Sequence, residues 1–387
     1  MRVTLLSSDL SSNGLVRAYL LAEILARDFE VEIIGTTFGK GIWQPALTHR
    51  FHFGVVRGAR WPLYALPVAA LLRQITGDVI YAIKPLMASF GVALLDRART
   101  GRPVVLDVDD DELSFRPPAW PRHPLRALSS SLHPNGRLST VLALRRAASA
   151  DAVTVATTGL RARFGGTLIP HAKDTALLRP RPELSAAAKE RLGVAGRRAV
   201  VFMGSPRPHK GIEDVAEAVG LMRHKAVFVV VGADPHHPYT RSLREQFHEV
   251  VFHPPYSLDD GPFLLQAADA VVVPQRLQPQ AVNQLPGKLL DAMALAKPIV
   301  ATAVSDMPAI LAPDRGVVVP PGDVRALARA LDSIFDAPEE ARRMGERARD
   351  WCEQHASYDA VQPTLRAIME GAAGKRSRKK QGGSTSE

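Results

Sequence analysis

Three cations in a short turn carry the first chemical signal of this chain. In Ala199 to Val219, AVVFMGSPRPHKGIEDVAEAV, an apolar run ends at Gly204, a proline-rich turn holds Arg207, His209 and Lys210, and a helical pattern starts after Gly211. Cations and unbonded amides at a strand's carboxyl end are what open α/β sheets offer to anionic ligands. A diphosphate is the guest this pattern predicts.

A second segment, Ala281 to Leu311, AVNQLPGKLLDAMALAKPIVATAVSDMPAIL, sets one acid inside a helix that runs into a buried strand. Pro286 suits a first helical turn, because its φ is already fixed and its missing N–H would have no partner there. Leu289, Leu290, Met293 and Ala294 recur at helical spacing, and Asp291 points off that apolar face. A carboxylate in an early turn is favoured by the helix dipole, and free amides nearby can receive an anion. The run from Pro298 to Thr302 reads as a short buried strand.

Together these segments resemble the carboxyl-terminal domain of the retaining nucleotide-sugar glycosyltransferases with the GT-B fold, glycosyl transferases group 1 (family 4-like). That family places Arg and Lys-Gly before a helix, and later two Glu separated by seven residues, the second opening Glu-Ala-Met-Ala. Here Lys210-Gly211 and Asp291-Ala-Met-Ala294 match in place, Asn283 stands at the first Glu, and Asp291 replaces the second. Arg207 sits closer to the lysine than the family's arginine does. The resemblance continues in the strand Val3 to Leu6, the loop Ser7 to Gly14 and the helix Leu15 to Arg27, in LIPHAKDTALLRP from Leu168, in AADAVVVPQ from Ala267, and in VVVPPGDVRALARAL from Val317.

The resemblance implies an α/β GT-B chain of two Rossmann-like domains facing a cleft. It implies transfer of a sugar from a nucleotide diphosphate sugar, with retention, to an unidentified glycan, lipid-linked or small-molecule acceptor. Lys210 would neutralise the leaving diphosphate with help from Arg207, and Asp291 would hydrogen-bond the ribose. Asn283, Gly204 and the backbone of Gln284, Leu285, Pro286, Gly287 and Lys288 would meet the donor, with Gly14 approaching it as the domains close. Preorganised cations and amides would then stabilise the developing charge without a metal or other cofactor.

The acids Asp107-Val-Asp109-Asp110-Asp111, after the apolar run Arg102 to Leu106, are the strongest signal in the amino-terminal half. Acids at alternate positions after a strand hold a metal or place a carboxylate over a reacting sugar. Counting against the family's His-Asp pair puts Asp109 on the histidine, which implies that Asp109 orients acceptor or donor sugar. Two other readings are an Asp-x-Asp nucleophile of the haloacid dehalogenase type, disfavoured by its depth in the chain, and acids capping the next helix. His171 and Lys173 face the cleft or form a solvated turn, the turn being preferred for Lys173. His236-His237 lacks a third ligand in sequence, and His253 borders a nucleobase or lies in a loop.

Bulk properties fit two α/β domains: 387 residues, 46% of them hydrophobic, with alternating strand and helix patterns. We expect an amino-terminal domain over 1–178, a proline- and alanine-rich linker over 179–198, and a donor domain over 199–350. A helix over 351–370 crossing back and a disordered basic tail over 371–387 complete the expectation. One cysteine, Cys352, excludes an internal disulfide. No apolar run approaches the roughly 20 residues that span a bilayer, which with the short apolar start predicts a cytoplasmic enzyme. The net charge of +10 includes +4 from the tail after Gly374. No aromatic-interleaved basic motif points to nucleic acid, so the remaining charge suits nucleotide diphosphates or peripheral contact with the inner face of an anionic membrane. The stretch Trp61 to Ile75, with Arg57, Arg60 and Arg73, is either an interfacial helix or an ordinary amphipathic helix packed on the sheet. Two further functions share the architecture: a nucleotide-sugar epimerase, and a non-catalytic binding protein, the latter favoured by the replacements at Asn283 and Asp291.

Overall fold

The computed structural model describes residues 1–43, 50–116 and 130–382, with side chains described through Lys375. They fall into two compact units, Met1–Pro170 with Val361–Glu387, and His171–Ala360.

The first unit is a parallel sheet of seven strands: β1 (Arg2–Ser7), β2 (Glu30–Thr37), β3 (Phe53–Arg57), β4 (Val79–Ile83), β5 (Val104–Val108), β6 (Ala152–Val155) and β7 (Thr167–Leu168), in the order β3-β2-β1-β4-β5-β6-β7. Its central strands are unbroken apolar runs such as VIYAI, because helices cover both faces and no face is left for water. Register follows from that burial, with Leu5 opposite both Ile33 and Tyr81. Helix α1 (Leu15–Leu25) follows β1. The connections after β3, β4, β5 and β6 carry α2 (Ala65–Gln74), α3 (Val92–Thr100), α4 (Arg137–Arg145) and α5 (Thr158–Phe164). These four pack through Leu71, Val92, Ala143 and Leu160 into one cluster with Ile80 and Leu106 of the sheet.

The second unit is a six-stranded parallel sheet in the order β10-β9-β8-β11-β12-β13. Its strands are β8 (Ala199–Met203), β9 (Val227–Val231), β10 (Val251–His253), β11 (Ala270–Val273), β12 (Ile299–Thr302) and β13 (Val317–Val319). The segment expected as a linker instead carries α6 (Ser185–Arg191), and Ala188, Leu192 and Val194 are buried with Val201, Val229 and Leu264. Its alanine and proline content concealed three apolar positions that belong to the core. Helices α7 (Ile212–Leu221), α8 (Pro238–Gln246) and α9 (Asp260–Leu265) follow β8, β9 and β10, while α10 (Pro279–Val282) and α11 (Gly287–Ala294) both follow β11. Helices α12 (Met307–Leu311), α13 (Val324–Asp336) and α14 (Pro338–His355) complete this unit. The last helix, α15 (Tyr358–Gly382), continues past residue 370, where the sequence suggested a disordered tail. Its Gln362 donates to Asp28 at 2.9 Å and its Lys375 to the Asp151 carbonyl at 2.7 Å, both within the first unit.

Each sheet has one place where strand order reverses, between β1 and β4 and between β8 and β11. Such switch points open a crevice at the strands' carboxyl ends. The loops that leave them contain Gly14 and Lys84 in one unit, and Lys210 and Gln284 in the other.

Candidate active site

In the second unit, β8 ends at Gly204, whose φ of 137° suits glycine and whose N–H donates to the Val231 carbonyl at 2.8 Å. The chain then turns through Arg207 and a short 3-10 turn, Pro208–Lys210, to Gly211. Gly211 is left-handed, with φ 66°, and a Cβ there would stand 2.1 Å from the Pro274 carbonyl oxygen. Two constraints thus require glycine after the lysine: the dihedral angle and the close approach of the loop after β11. That approach is fixed by Arg276, whose backbone N–H donates to the His209 carbonyl at 3.0 Å. Its guanidinium meets Asp214 at 2.9 and 2.6 Å, at the start of α7.

Lys210 is thereby held over the switch point, and its Nζ donates to Gln284 Oε1 at 2.9 Å. Gln275, buried at the end of β11, donates to the same oxygen at 3.3 Å, and its own Oε1 is buried without a hydrogen-bond partner among the described residues. Asn283 is half-buried as the carboxyl cap of α10. Leu285 is core, which leaves only its backbone for a ligand. Pro286 is the amino-terminal cap of α11 rather than its first residue and supplies no side-chain bond; its carbonyl accepts from the Leu289 N–H at 3.0 Å, and the amides of Gly287 and Lys288 precede that bond. The Arg207 side chain is exposed and donates to the adjacent Pro206 carbonyl at 2.9 Å.

Asp291 is buried, although its neighbours Leu289, Leu290 and Met293 and not its carboxylate form the apolar face. Its carboxylate lies between Lys173 at 2.6 Å and Lys288 at 3.0 Å. Burial alone would raise this carboxyl, but Lys173 and then Lys288 more than offset it and bring it to about 2. Burial likewise lowers Lys288, and the charge of Asp291 overcomes that and leaves it above the ordinary lysine range. The ammonium of Lys288 also sits 5.6 Å from the ring centre of Tyr256. Lys173 is therefore part of a buried ion triad and not of a solvated turn. His171 lies beside it, with its Cβ 3.8 Å from where a Cβ on Gly287 would stand.

The remaining histidines have local roles. His237 caps α8 by accepting from the Tyr239 N–H at 3.2 Å, and the backbone carbonyl of His253 accepts from Gly232 and Ala233.

In the first unit the carboxyl end of β5 carries two different sets of acids. Asp107 is fully buried, bonded by Arg17 of α1 through Nε and Nη2 at 2.9 Å each, and it accepts from Thr154 at 2.7 Å. Arg17 also donates to the carbonyls of Ile169 and Pro170. This doubly bonded pair fastens α1 to the sheet and leaves Asp107 no role as a metal ligand or nucleophile.

Asp109, Asp110 and Glu112 instead converge on Lys84, at 2.9, 2.8 and 2.7 Å. The three carboxylates lie close enough to share a cation, and the ammonium supplies that charge itself. Lys84 has φ 70°, unusual for a residue with a side chain, and its Cε is 3.7 Å from where a Cβ on Gly14 would be. Burial pushes Asp109 up; Lys84 pulls it back and the neighbouring acids push it further, leaving it at about 7. Lys84 itself stays well above the ordinary range, because the three acids outweigh its burial.

Sequence reasoning missed Lys84, Arg17, Arg276 and Gln275. Arg17 had a visible signal, a lone arginine inside the apolar run LVRAYLLAEIL. Arg276, three residues after β11, had none.

Two parallel doubly wound sheets, each with a crevice at its switch point, are the architecture of the GT-B fold. The family model for glycosyl transferases group 1 matches residues 197–337. The MMP alpha-(1->4)-mannosyltransferase of Mycolicibacterium hassiacum is 25% identical over 296 residues, 73% of this chain and 68% of that protein. The GDP-mannose-dependent alpha-(1-6)-phosphatidylinositol monomannoside mannosyltransferase of Mycolicibacterium smegmatis is 28% identical over 54% of this chain, an alignment that spans 59% of its own length. The crystal structure of Anabaena Alr3699/HepE in complex with UDP-glucose shares the fold with a TM-score of 0.75, at 18% identity over 95% of this chain and 99% of that one. The chain is a glycosyltransferase with the GT-B fold, and residues 197–337 match the group 1 family.

Proposed function

We propose that this enzyme transfers a sugar from a nucleotide diphosphate sugar, with retention of configuration, and that the second unit binds the donor. The observation that carries the reading is Lys210, held by Gly211 and Arg276 over the switch point and bonded to Gln284 just before the amino terminus of α11. Breaking a glycosyl phosphate bond builds negative charge on the diphosphate. A fixed ammonium and uncapped amides meet that charge with no reorganisation.

Asn283 takes the position of the family's first Glu. It donates as well as accepts, so it selects a different pattern of donor hydroxyls from a carboxylate. Mannosyl donors come first, because two of the relatives above are mannosyltransferases and one is named as dependent on GDP-mannose. A metal is not needed to balance the diphosphate in this reading.

The test is mass spectrometry of the purified protein with GDP-mannose, UDP-glucose and other nucleotide sugars, together with cell extract as the source of acceptor. A sugar-bearing product and free nucleotide diphosphate, unchanged by EDTA, are expected. An altered sugar with no acceptor consumed would establish the epimerase instead.

A further inference from the structure

The second unit has a cavity at the end of its sheet opposite to Lys210. Arg198, Asp269 and Pro298, which immediately precede β8, β11 and β12, line it, so it opens at the strands' amino ends, whereas Gly204 and Lys210 follow the carboxyl end of β8. Its volume is about 630 Å³, and Ile334 and Phe335 of α13 with Ala341 of α14 give it an apolar wall. Two contacts fix its boundary. A Cβ on Gly345 of α14 would stand 2.1 Å from the Ala296 carbonyl oxygen, so that helix is pressed onto the loop carrying Lys297. On the other side the Gln266 side chain donates to the Arg179 carbonyl at 3.1 Å and accepts from the Arg181 N–H at 3.2 Å.

Lys297 lines this cavity, half-buried, and forms no ion pair among the described residues. Its Nζ donates to the Gln266 carbonyl at 2.9 Å and the Ala268 carbonyl at 3.2 Å. The acids around it are mostly engaged: Asp269 by Lys189 of α6 at 2.7 Å, and Glu346 of α14 by Arg342, while Arg349 pairs with Glu353 at 2.5 Å. Asp350 of α14 also lines the cavity and is exposed. Burial lowers the Lys297 ammonium to about 8, with Asp269 opposing that shift and Lys189 adding to it. A neutral amine has two N–H groups and a lone pair; two carbonyls can take the N–H groups and leave the lone pair for an electrophile. Arg181 and Arg198 complete the lining, both exposed and outside any ion pair among the described residues. Arg198 lies 5.2 Å from the centre of the Phe335 ring.

We propose that Lys297 is a nucleophilic lysine in a second site, at the amino end of the donor-domain sheet, that takes a small anionic aldehyde as an imine. Arg181 and Arg198 attract the anionic group of the ligand, and Ile334 and Phe335 cover its carbon skeleton. The Lys297 amine attacks the aldehyde carbon. A C–N bond forms, the carbonyl oxygen leaves as water with both hydrogens of the neutral amine, and nothing is oxidised or reduced. None of these groups belongs to the crevice that holds Lys210, so the site fills without a sugar donor.

The test treats the full-length protein with pyridoxal phosphate, or with pyridoxal, which lacks the anionic group, then reduces with borohydride and maps the labelled lysines by peptide mass spectrometry. No activity is read, so the outcome is separate from that of the transfer reading. At about pH 7.5 Lys297 should be labelled about tenfold or more faster than the exposed Lys225, because more of it is neutral. Its rate should level off above about pH 8, where that of an ordinary lysine still climbs towards about 10.4. Pyridoxal phosphate should react at Lys297 faster than pyridoxal. Arg198→Gln should slow it about fivefold while leaving the pyridoxal rate and the melting temperature unchanged. Labelling of Lys297 no faster than of Lys225 would overturn the proposal, as would equal rates for the two probes.

Discussion

Replacing Asp291 by Asn separates two roles that the sequence assigned to one residue. In the structure its carboxylate pairs with both Lys173 and Lys288, and its lowering from 3.8 to about 2 reflects how strongly the fold prefers it charged. That shift corresponds to about 2 kcal/mol. Removing the charge leaves Lys173, with only 16% of its side chain exposed, facing a neutral amide, so the loss is not smaller than this. Lys288 is more exposed and adds little, because water screens it. Asp291→Asn should therefore destabilise the second unit by about 2 kcal/mol at pH 7, a drop of about 4–8 °C in its melting. The sign with pH is fixed by the direction of the shift. A lowered carboxyl contributes stability above its unfolded value and loses it as pH falls through the folded one, so wild type and variant should converge between about pH 4 and pH 2. Denaturant titration across that range, with calorimetry of nucleotide diphosphate at pH 7, measures both roles. A variant within about 0.5 kcal/mol of wild type that no longer binds nucleotide would refute the reasoning, because the carboxylate would then serve the ligand and not the lysines.

Other expectations follow from the same geometry. Lys210→Ala should lower turnover about 100-fold with the fold intact, and unchanged turnover would remove the lysine from the mechanism. Gly211→Ala should cost more than about 1 kcal/mol and weaken nucleotide binding, since the added Cβ meets the Pro274 carbonyl at φ 66°. Gly220→Ala, in open space on the same helix, should be neutral or stabilising in the same melting assay. Asp109, lifted to about 7 by burial and its neighbouring acids against the pull of Lys84, should change charge within the working range. Because its folded value is raised, the stability it contributes is present below about pH 4 and lost as pH rises through 7. Stability measured from pH 5 to 8 should fall more steeply in wild type than in Asp109→Asn, and parallel curves would count against a titrating Asp109.

What the sequence made legible was whatever lies along one stretch of chain. The strand, turn and helix around Lys210-Gly211 could be read because the apolar run, the cations and the glycine are consecutive, and the structure adds the reason for the glycine and the distant partners Arg276 and Gln284. The helix carrying Asp291 was equally plain. Its environment was not, since Lys173 is 118 positions earlier and was read as a solvated turn. The acids after β5 show the same limit. Their alternation correctly marked the end of a strand, but nothing local distinguishes Asp107, bound by Arg17 ninety residues away, from Asp109, two positions on and held by Lys84. Alternate positions on a strand point to the same face only while the strand lasts, and Asp109 lies just past its end, where the loop's own path decides its direction. Burial decides the rest. A buried carboxylate must find a cation, and which cation it finds is set by sheet order, β1 beside β4 beside β5, a property of topology that no window of sequence contains. A lone arginine in α1 and a lysine ending β4 are therefore the complements of the acids after β5. The useful inference from an unpaired acid after a strand is to search the helix or loop of the neighbouring strands for its partner before assigning it to catalysis.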